Sequence, residues 1–366
     1  MGNALNVGII GAGKISGAYA TTFDRLSTVA LTRVADLDAG RAAALAAEHP
    51  GVLAATPDEL LAADDVDVVL NLTVPQAHAA VTLAAIAAGK HVYVEKPLAA
   101  TTAEARTVLA AAAQAGRAVG CAPDTVLGTG VQTARASVAA GDIGTPIAAT
   151  AFMVTPGHER WHPAPEFYYQ PGGGPILDMG PYYLTALVTL LGPVRRVTGM
   201  SSTPRPTRTV GAGPRAGTVI PVQVATHVTG VLEHASGALT TLMMSFDVWD
   251  ARLPRIEVYG TEGTLSLPDP NGFDGPVRLF AATGGEWVEV PERAGYRDAS
   301  RGFGVADLGR ALRTGTPHRA SGELAFHILD VMECLLAAAD TGAAVEVAST
   351  CEIPDLVPFG AGPDDE

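Results

Sequence analysis

Along the first third of the chain, short apolar, β-branched runs alternate with longer alanine-rich stretches. The runs are Leu5 to Ile10, Val29 to Ala35, Val66 to Leu72, His91 to Val94 and Ala118 to Cys121. Short, continuously apolar runs suit strands buried on both faces, and the segments between them suit helices. That alternation predicts crossover connections and a doubly wound parallel sheet, a Rossmann domain over residues 1–123. After Pro123 the pattern changes. One helical stretch near Gln132 to Ala139 leads into segments of alternating polarity around 146–155, 194–201, 222–233, 238–247, 254–259 and 263–267. Turn pairs such as Ser236-Gly237 and Glu262-Gly263 separate several of them, as antiparallel hairpins require. Residues 203–221, rich in Pro, Gly, Arg and Thr, read as a long loop. Apolar Leu324, Ile328, Val331, Leu335 and Ala338 predict a helix over 322–341 that packs along one face. Residues 124–366 should therefore form an α+β domain with an open, mainly antiparallel sheet.

Length and composition agree with two globular domains: 366 residues, 48% hydrophobic and 17% charged. Charge narrows the partners. Lys and Arg total 24 against 38 Asp and Glu, a formal net charge of -14, which argues against nucleic acid and membrane surfaces. A bound dinucleotide stays compatible, because helix N-termini and loop amides hold its pyrophosphate locally. Cys121, Cys334 and Cys351 lack metal-ligand spacing and fit a reducing, cytoplasmic setting. Met1 to Ala4 carry no basic leader, and no apolar run has bilayer-spanning length.

The first strand ends in Gly11-Ala12-Gly13-Lys14-Ile15-Ser16-Gly17, where a strand turns into a helix. A tight turn needs Gly11, Gly13 permits close approach to a pyrophosphate, and Ser16 takes the small third position of a dinucleotide fingerprint. The second strand ends at Asp36, placed to hydrogen-bond the ribose hydroxyls of NAD and to repel the 2′-phosphate of NADP. Arg33 and Arg41 are the nearest basic residues.

Two further motifs close the next strands: Asn71-Leu72-Thr73-Val74-Pro75-Gln76-Ala77-His78 on the third, and Tyr93-Val94-Glu95-Lys96-Pro97 on the fourth. A later motif, Asp178-Met179-Gly180-Pro181-Tyr182, and the segment Val258-Tyr259-Gly260-Thr261-Glu262-Gly263 complete the set. Together with the glycine fingerprint, these resemble the Gfo/Idh/MocA oxidoreductases over nearly the whole chain. The resemblance implies that Glu95 and Lys96 border the nicotinamide, that Pro97 follows a cis bond, and that Lys14, Ile15, Leu72, Thr73, Pro75 and His78 join Gly11, Gly13 and Asp36 around the cofactor. It also implies a catalytic set of Lys96, Asp178 and Tyr182, with tyrosine where most relatives have histidine. Asp178 and Tyr182 are four apart and share a helical face. Pro181 is tolerated in a first helical turn, which predicts Asp178 at or just before the helix start; a plain N-cap Asp178 and a core Tyr182 are the alternative.

His158-Glu159-Arg160-Trp161-His162 matches the zinc-protease pattern letter for letter. Ligation needs both histidines on one face of a continuous helix. Pro156, Gly157, Pro163 and Pro165 instead predict a loop without metal, in which His158, Trp161 and His162 either contact a sugar or are solvated. The Arg301-Gly302-Phe303-Gly304 turn before a helix at Val305 is a weaker candidate. The expected reaction is hydride exchange between a carbohydrate or polyol CH–OH and the nicotinamide, Lys96 stabilising the reacting oxygen, Tyr182 exchanging its proton, and Asp178 holding the substrate or orienting Lys96. An NAD-dependent glycosidase and a non-enzymatic dinucleotide sensor are the rivals on the same fold. One sheet face left uncovered predicts a homo-oligomer, dimer or tetramer, through the second domain.

Overall fold

The computed structural model describes residues 4–360 and 362; residues 1–3 of the expected leaderless start lie outside them. The chain begins with β1 (Leu5–Ile10), α1 (Ser16–Phe23), β2 (Val29–Ala35), α2 (Ala39–Glu48), β3 (Leu53–Ala55), α3 (Pro57–Ala62), β4 (Val68–Asn71), α4 (Pro75–Ala87), β5 (His91–Val94), α5 (Thr102–Ala115) and β6 (Val119–Cys121). The six strands are parallel in the order β3-β2-β1-β4-β5-β6. Val7, Ile9, Val68, Val69, Leu70, Val92 and Val94 are fully buried, as a sheet covered on both faces requires. The strand order reverses between β1 and β4, so a crevice opens at their carboxyl ends. Strand β3 is not among the anticipated strands: its run is only three residues long and its Leu53 is half exposed. The motifs Asn71 to His78 and Tyr93 to Pro97 therefore close the fourth and fifth strands rather than the third and fourth.

After α6 (Thr129–Ala139), the chain builds β7 (Pro146–Val154), α7 (Pro175–Leu191), β8 (Val194–Ser202), β9 (Thr207–Thr209), β10 (Val219–Pro221), β11 (His227–His234), β12 (Leu239–Ser245), β13 (Ile256–Gly260), β14 (Gly263–Leu267), β15 (Val277–Ala281) and β16 (Trp287–Val290), with β17 (Val345–Glu346) near the end. Nine of these form one sheet, β16-β15-β14-β13-β7-β12-β11-β8-β17, antiparallel except for the parallel pair β7 and β12. Helix α7 lies on β7, β11 and β12. On that face Val228, Leu232, Leu242 and Met244 are buried, while Met200, Val231 and Leu239 stand exposed on the other, the period-two alternation of a half-covered sheet. Strands β9 and β10 pair as a small hairpin inside the segment expected to be all loop, and β15 and β16 extend the sheet beyond the anticipated strands.

Two helices remain, α8 (Phe303–Thr314) and α9 (Gly322–Thr341). The chain forms two compact units, one of residues 1–132, 292–326 and 354–366, the other of 133–291 and 327–353. A single cut after residue 123 does not describe this: the stretch around α8 returns to the first unit. Buried carboxylates tie it there. Asp124 accepts from the amides of Gly302 at 2.8 Å and Gly304 at 3.1 Å, capping α8, which starts two residues before the expected Val305. Asp307, fully buried, gathers Tyr296 Oη at 3.2 Å, Arg310 Nε at 3.1 Å and Arg319 Nη1 at 2.5 Å. A buried carboxylate needs such partners, and nothing in hydropathy periodicity reports them.

A buried histidine gives the second unit a pH-dependent weak point. His327 Nε2 lies 3.0 Å from the Val194 amide and must accept from it, while Nδ1 meets Ser349 Oγ at 2.8 Å. Burial pushes its pKa from 6.5 down to about 4. The native state excludes a proton that the unfolded chain binds, so the contribution is complete above pH 6.5 and is lost as pH falls toward 4. The urea midpoint should fall across that window by the equivalent of about 3 kcal/mol, and His327→Gln, which keeps an acceptor but does not titrate, should flatten the slope. An unchanged slope in the variant would place the acid sensitivity elsewhere.

Candidate active site

In the first unit, Gly11 adopts φ +107°, and a Cβ there would lie 2.7 Å from the Leu72 backbone. Only glycine lets the β1 turn pass the end of β4. A Cβ on Gly13 would meet nothing within 4 Å: the space above this turn is open. Ser16 closes the turn by donating from Oγ to Gly13 O at 2.7 Å. Asp36 is fixed by two amides, Ala12 N on Oδ2 and Asp38 N on Oδ1, both at 2.8 Å. Beside it opens a cavity of about 640 Å³ lined by Gly11, Gly13, Asp36, Leu72 and Thr73, and also by Leu37, Arg41 and Val74. Leu37 is 99% exposed and Val74 62%, two aliphatic side chains held out beside an acid at a strand end. Leu37, Val74 and Arg41 are not in the sequence-based set; an aliphatic residue directly after the strand-end acid is the one signal the sequence carries for them. Of the two nearby arginines, Arg33 is bound to Asp65 at 2.7 Å, whereas Arg41 lines the cavity 3.4 Å from Asp38. An open glycine turn, a fixed acid and apolar walls fit a dinucleotide.

The neighbouring loops are built from inside. Asn71, buried, accepts from Thr73 N and Oγ1 and donates to His78 O and Thr82 Oγ1. His78 was expected to face the cofactor. Its ring is buried, with Nδ1 2.6 Å from Pro97 O and Nε2 3.0 Å from Thr73 O; it braces the Thr73 loop against the Lys96-Pro97 loop, and burial lowers its pKa. Pro75 opens α4 and Ile15 precedes α1, with Lys14 exposed in the turn between strand and helix. The Lys96–Pro97 bond is cis. Glu95 is held at both oxygens, by Tyr19 Oη at 2.8 Å and by Lys96 N at 2.9 Å. Tyr19, absent from the sequence-based set, is fully buried, and burial beside Glu95 and Asp124 pushes its pKa up, so it remains a donor. Lys96 thus stands at the carboxyl edge of β5 on a loop fastened by Tyr19 and His78.

In the second unit, Asp178 sits in the first turn of α7, its amide bonded to Gly174 O at 3.1 Å. The helix begins at Pro175, three residues earlier than Pro181 suggested, and Pro181 lies inside it. Pro175 supplies the preset φ of a first helical position, and the internal proline costs the Leu177 carbonyl its donor. Asp178 is therefore neither N-cap nor pre-helical. Tyr182 follows one turn later and is 7% exposed, while Tyr183 is fully enclosed. Burial and Asp269 push the Tyr183 phenol up. The loop before α7 passes close to its neighbour, since a Cβ on Gly173 would lie 2.3 Å from Phe167 O.

Residues 158–160 form a single 3-10 turn, not a helix. Glu159 turns inward to Tyr169 Oη and to Arg208 Nη1 at 3.1 Å. His158 Nε2 lies 3.2 Å from Asp178 Oδ2, a pairing across twenty residues that no sequence spacing announced. Trp161, 52% exposed, and His162 stack edge-on with each other, and His162 packs against Phe167 and Tyr168. Among the described residues no group of three His, Cys, Asp or Glu side chains is placed to hold a metal, and no helix is long and apolar enough to cross a membrane.

Comparison with known proteins adds three findings. A model of the oxidoreductase family with an NAD-binding Rossmann fold (GFO/IDH/MocA) matches residues 5–122, and the GFO/IDH/MocA C-terminal domain matches residues 131–266. The chain is 37% identical over 177 residues to 1,5-anhydro-D-fructose reductase of Ensifer adhaerens, a match spanning 47% of this chain and 52% of that protein. It is 28% identical over 347 residues to D-xylose 1-dehydrogenase (NADP(+)) 2 of Haloferax volcanii, covering 93% of this chain and 99% of the other. In three dimensions it matches an NAD binding oxidoreductase from Klebsiella pneumoniae with a TM-score of 0.82 and 26% identity, over 94% of this chain and all of that one (100%). With both halves of the family pattern matched and the fold shared along the chain, this protein belongs to the GFO/IDH/MocA oxidoreductases, whose Rossmann domain binds NAD.

Proposed function

We propose that the protein is an NAD-dependent dehydrogenase or reductase acting on a CH–OH carbon of a carbohydrate or polyol. The observation that carries this is the intact Glu95-Lys96-Pro97 loop, braced by Tyr19 and His78 in the same unit as the Asp36 cavity; the two curated relatives named for sugar redox chemistry support the substrate class, though one of them is named for NADP. Gly11, Gly13, Asp36, Leu72 and Thr73 would hold the dinucleotide, with Leu37, Val74 and Arg41 added. When bound, the nicotinamide supplies or takes the hydride. Lys96 donates a hydrogen bond to the reacting oxygen and offsets its developing negative charge. Tyr182 takes or returns the hydroxyl proton, and Asp178 holds the substrate. A glycosidase working through transient oxidation would use the same residues without net cofactor turnover.

Asp36 sets the cofactor. Its carboxylate, pinned by two amides, cannot swing away from a 2′-phosphate, and Arg33 is occupied by Asp65. The purified protein should reduce NAD with some member of a panel of sugars, polyols and glycosides, with kcat/KM for NAD exceeding that for NADP by about tenfold or more. A higher value with NADP would overturn the role of Asp36; release of sugar from glycosides without NADH accumulation would favour the glycosidase. Exposed Met200, Val231 and Leu239 on the open sheet face support a homo-oligomer, dimer or tetramer, through that face, and light scattering of the same sample at micromolar concentration should exceed the monomer mass. A reducing, cytoplasmic setting is part of the same proposal, consistent with three free cysteines.

A further inference from the structure

The His158 imidazole was a candidate for touching substrate, and its surroundings give it a different task. Nε2 faces Asp178 Oδ2 at 3.2 Å. A carboxylate only accepts, so Nε2 carries the proton. The other nitrogen, Nδ1, is buried and has no hydrogen-bond partner among the described residues. Protonating it would enclose an N–H with no acceptor, which is costly; the hydrogen-bond geometry therefore places the ring proton on Nε2. A substrate hydroxyl has no access to a buried Nδ1, so the ring is badly placed to act as its base.

The ring is also immobilised. Its centroid lies 4.4 Å from Tyr168, 4.5 Å from Phe246 and 5.4 Å from Trp161. The next residue anchors the backbone. Buried Glu159 takes Tyr169 Oη and Arg208 Nη1, Arg208 Nη2 reaches Asp247 Oδ1 at 2.6 Å, and Asp247 Oδ2 accepts from Thr226 Oγ1 at 2.6 Å. The Glu159 carbonyl accepts the Gly211 amide at 2.7 Å. The loop bearing His158 is thus nailed to a buried ionic network, and its imidazole reaches from that network to the carboxylate on α7.

We infer that His158 is a positioning residue that fixes the rotamer of Asp178 through one Nε2–H···Oδ2 bond, with the Glu159–Arg208–Asp247 network as its support. This rests on the proposed role of Asp178 in handling substrate. A motif aspartate on a helix surface has several rotamers, and an external donor on a rigid loop selects one of them.

The test compares His158→Phe, which keeps the ring packing and removes the donor, with His158→Gln, whose amide nitrogen reaches the Nε2 position. His158→Phe should lower kcat about 10- to 100-fold, the range expected for losing a hydrogen bond to a charged group, with thermal midpoint and NAD affinity near wild type. His158→Gln should return kcat to within about threefold of wild type. In the wild-type protein, nitrogen-15 spectra at pH 7 should show the His158 proton on Nε2 alone. Wild-type kcat in the Phe variant, a Gln variant no better than Phe, or a raised KM at unchanged kcat would each overturn the assignment, the last by making the ring a substrate contact. If His158→Phe does not fold, the Gln variant and the tautomer decide. If the wild-type protein turns over nothing in the sugar panel, the functional proposal fails, while an Nδ1–H tautomer, which leaves Nε2 without a proton, would still be needed to remove the inferred bond.

Discussion

Lys96→Met should lower kcat by about 10²- to 10³-fold, the cost of removing a donor aimed at developing negative charge. Methionine keeps the stem length and loses only the ammonium. The loop itself should persist, because its fastenings do not involve the side chain: Glu95 is bound by Tyr19 Oη and the Lys96 amide, and His78 contacts Pro97 O. Tyr19, held as a protonated phenol by burial, keeps donating in the variant. NAD affinity should therefore stay within about tenfold of wild type while single-turnover hydride transfer slows. A variant with kcat within tenfold of wild type would show that Lys96 is a cofactor-loop lysine with no part in the chemistry.

The next largest effect should come from Tyr182→Phe, a loss in kcat of about 10²-fold or more, in the range for a missing general acid or base. The structure separates the two adjacent tyrosines physically. Tyr183 is fully enclosed, and both burial and the Asp269 charge push its phenol up, so it holds its proton more tightly than a free phenol. Tyr182 keeps a small exposed edge one turn beyond Asp178. A free phenol has a pKa near 10, so the proposal requires a cation beside Tyr182 in the ternary complex. Near-normal kcat in Tyr182→Phe with a large loss in Tyr183→Phe would transfer the role to Tyr183.

Hydropathy made the parallel sheet legible because its strands are buried on both faces and read as continuous apolar runs; β3 is too short and too exposed to stand out from the alanine-rich segments around it. Local geometry was legible where one residue type is required, as at Gly11 with its positive φ. What escaped was polar and long-range. His78 is written into a motif, yet the sequence cannot say that its ring turns inward to two carbonyls. The start of α7 was misjudged because a single proline was weighed at Pro181 and not at Pro175. The pairing of His158 with Asp178 depends on where a loop lands, and the letter match to a zinc motif conceals that Glu159 faces the core.

The cap on α8 ties the order of synthesis to the completion of the first unit. Asp124 leaves the ribosome 178 residues before Gly302, the first of its two amide donors. At about 5 to 20 residues per second, the nascent Rossmann sheet spends roughly 10 to 40 s with this carboxylate hydrated and the edge beyond β6 uncovered, while eight of the nine strands of the second sheet, up to Val290, are being translated. The first unit thus begins before its last pieces exist, and a chain interrupted between residues 121 and 302 carries the complete parallel sheet without α8 and without the amides that pair with Asp124.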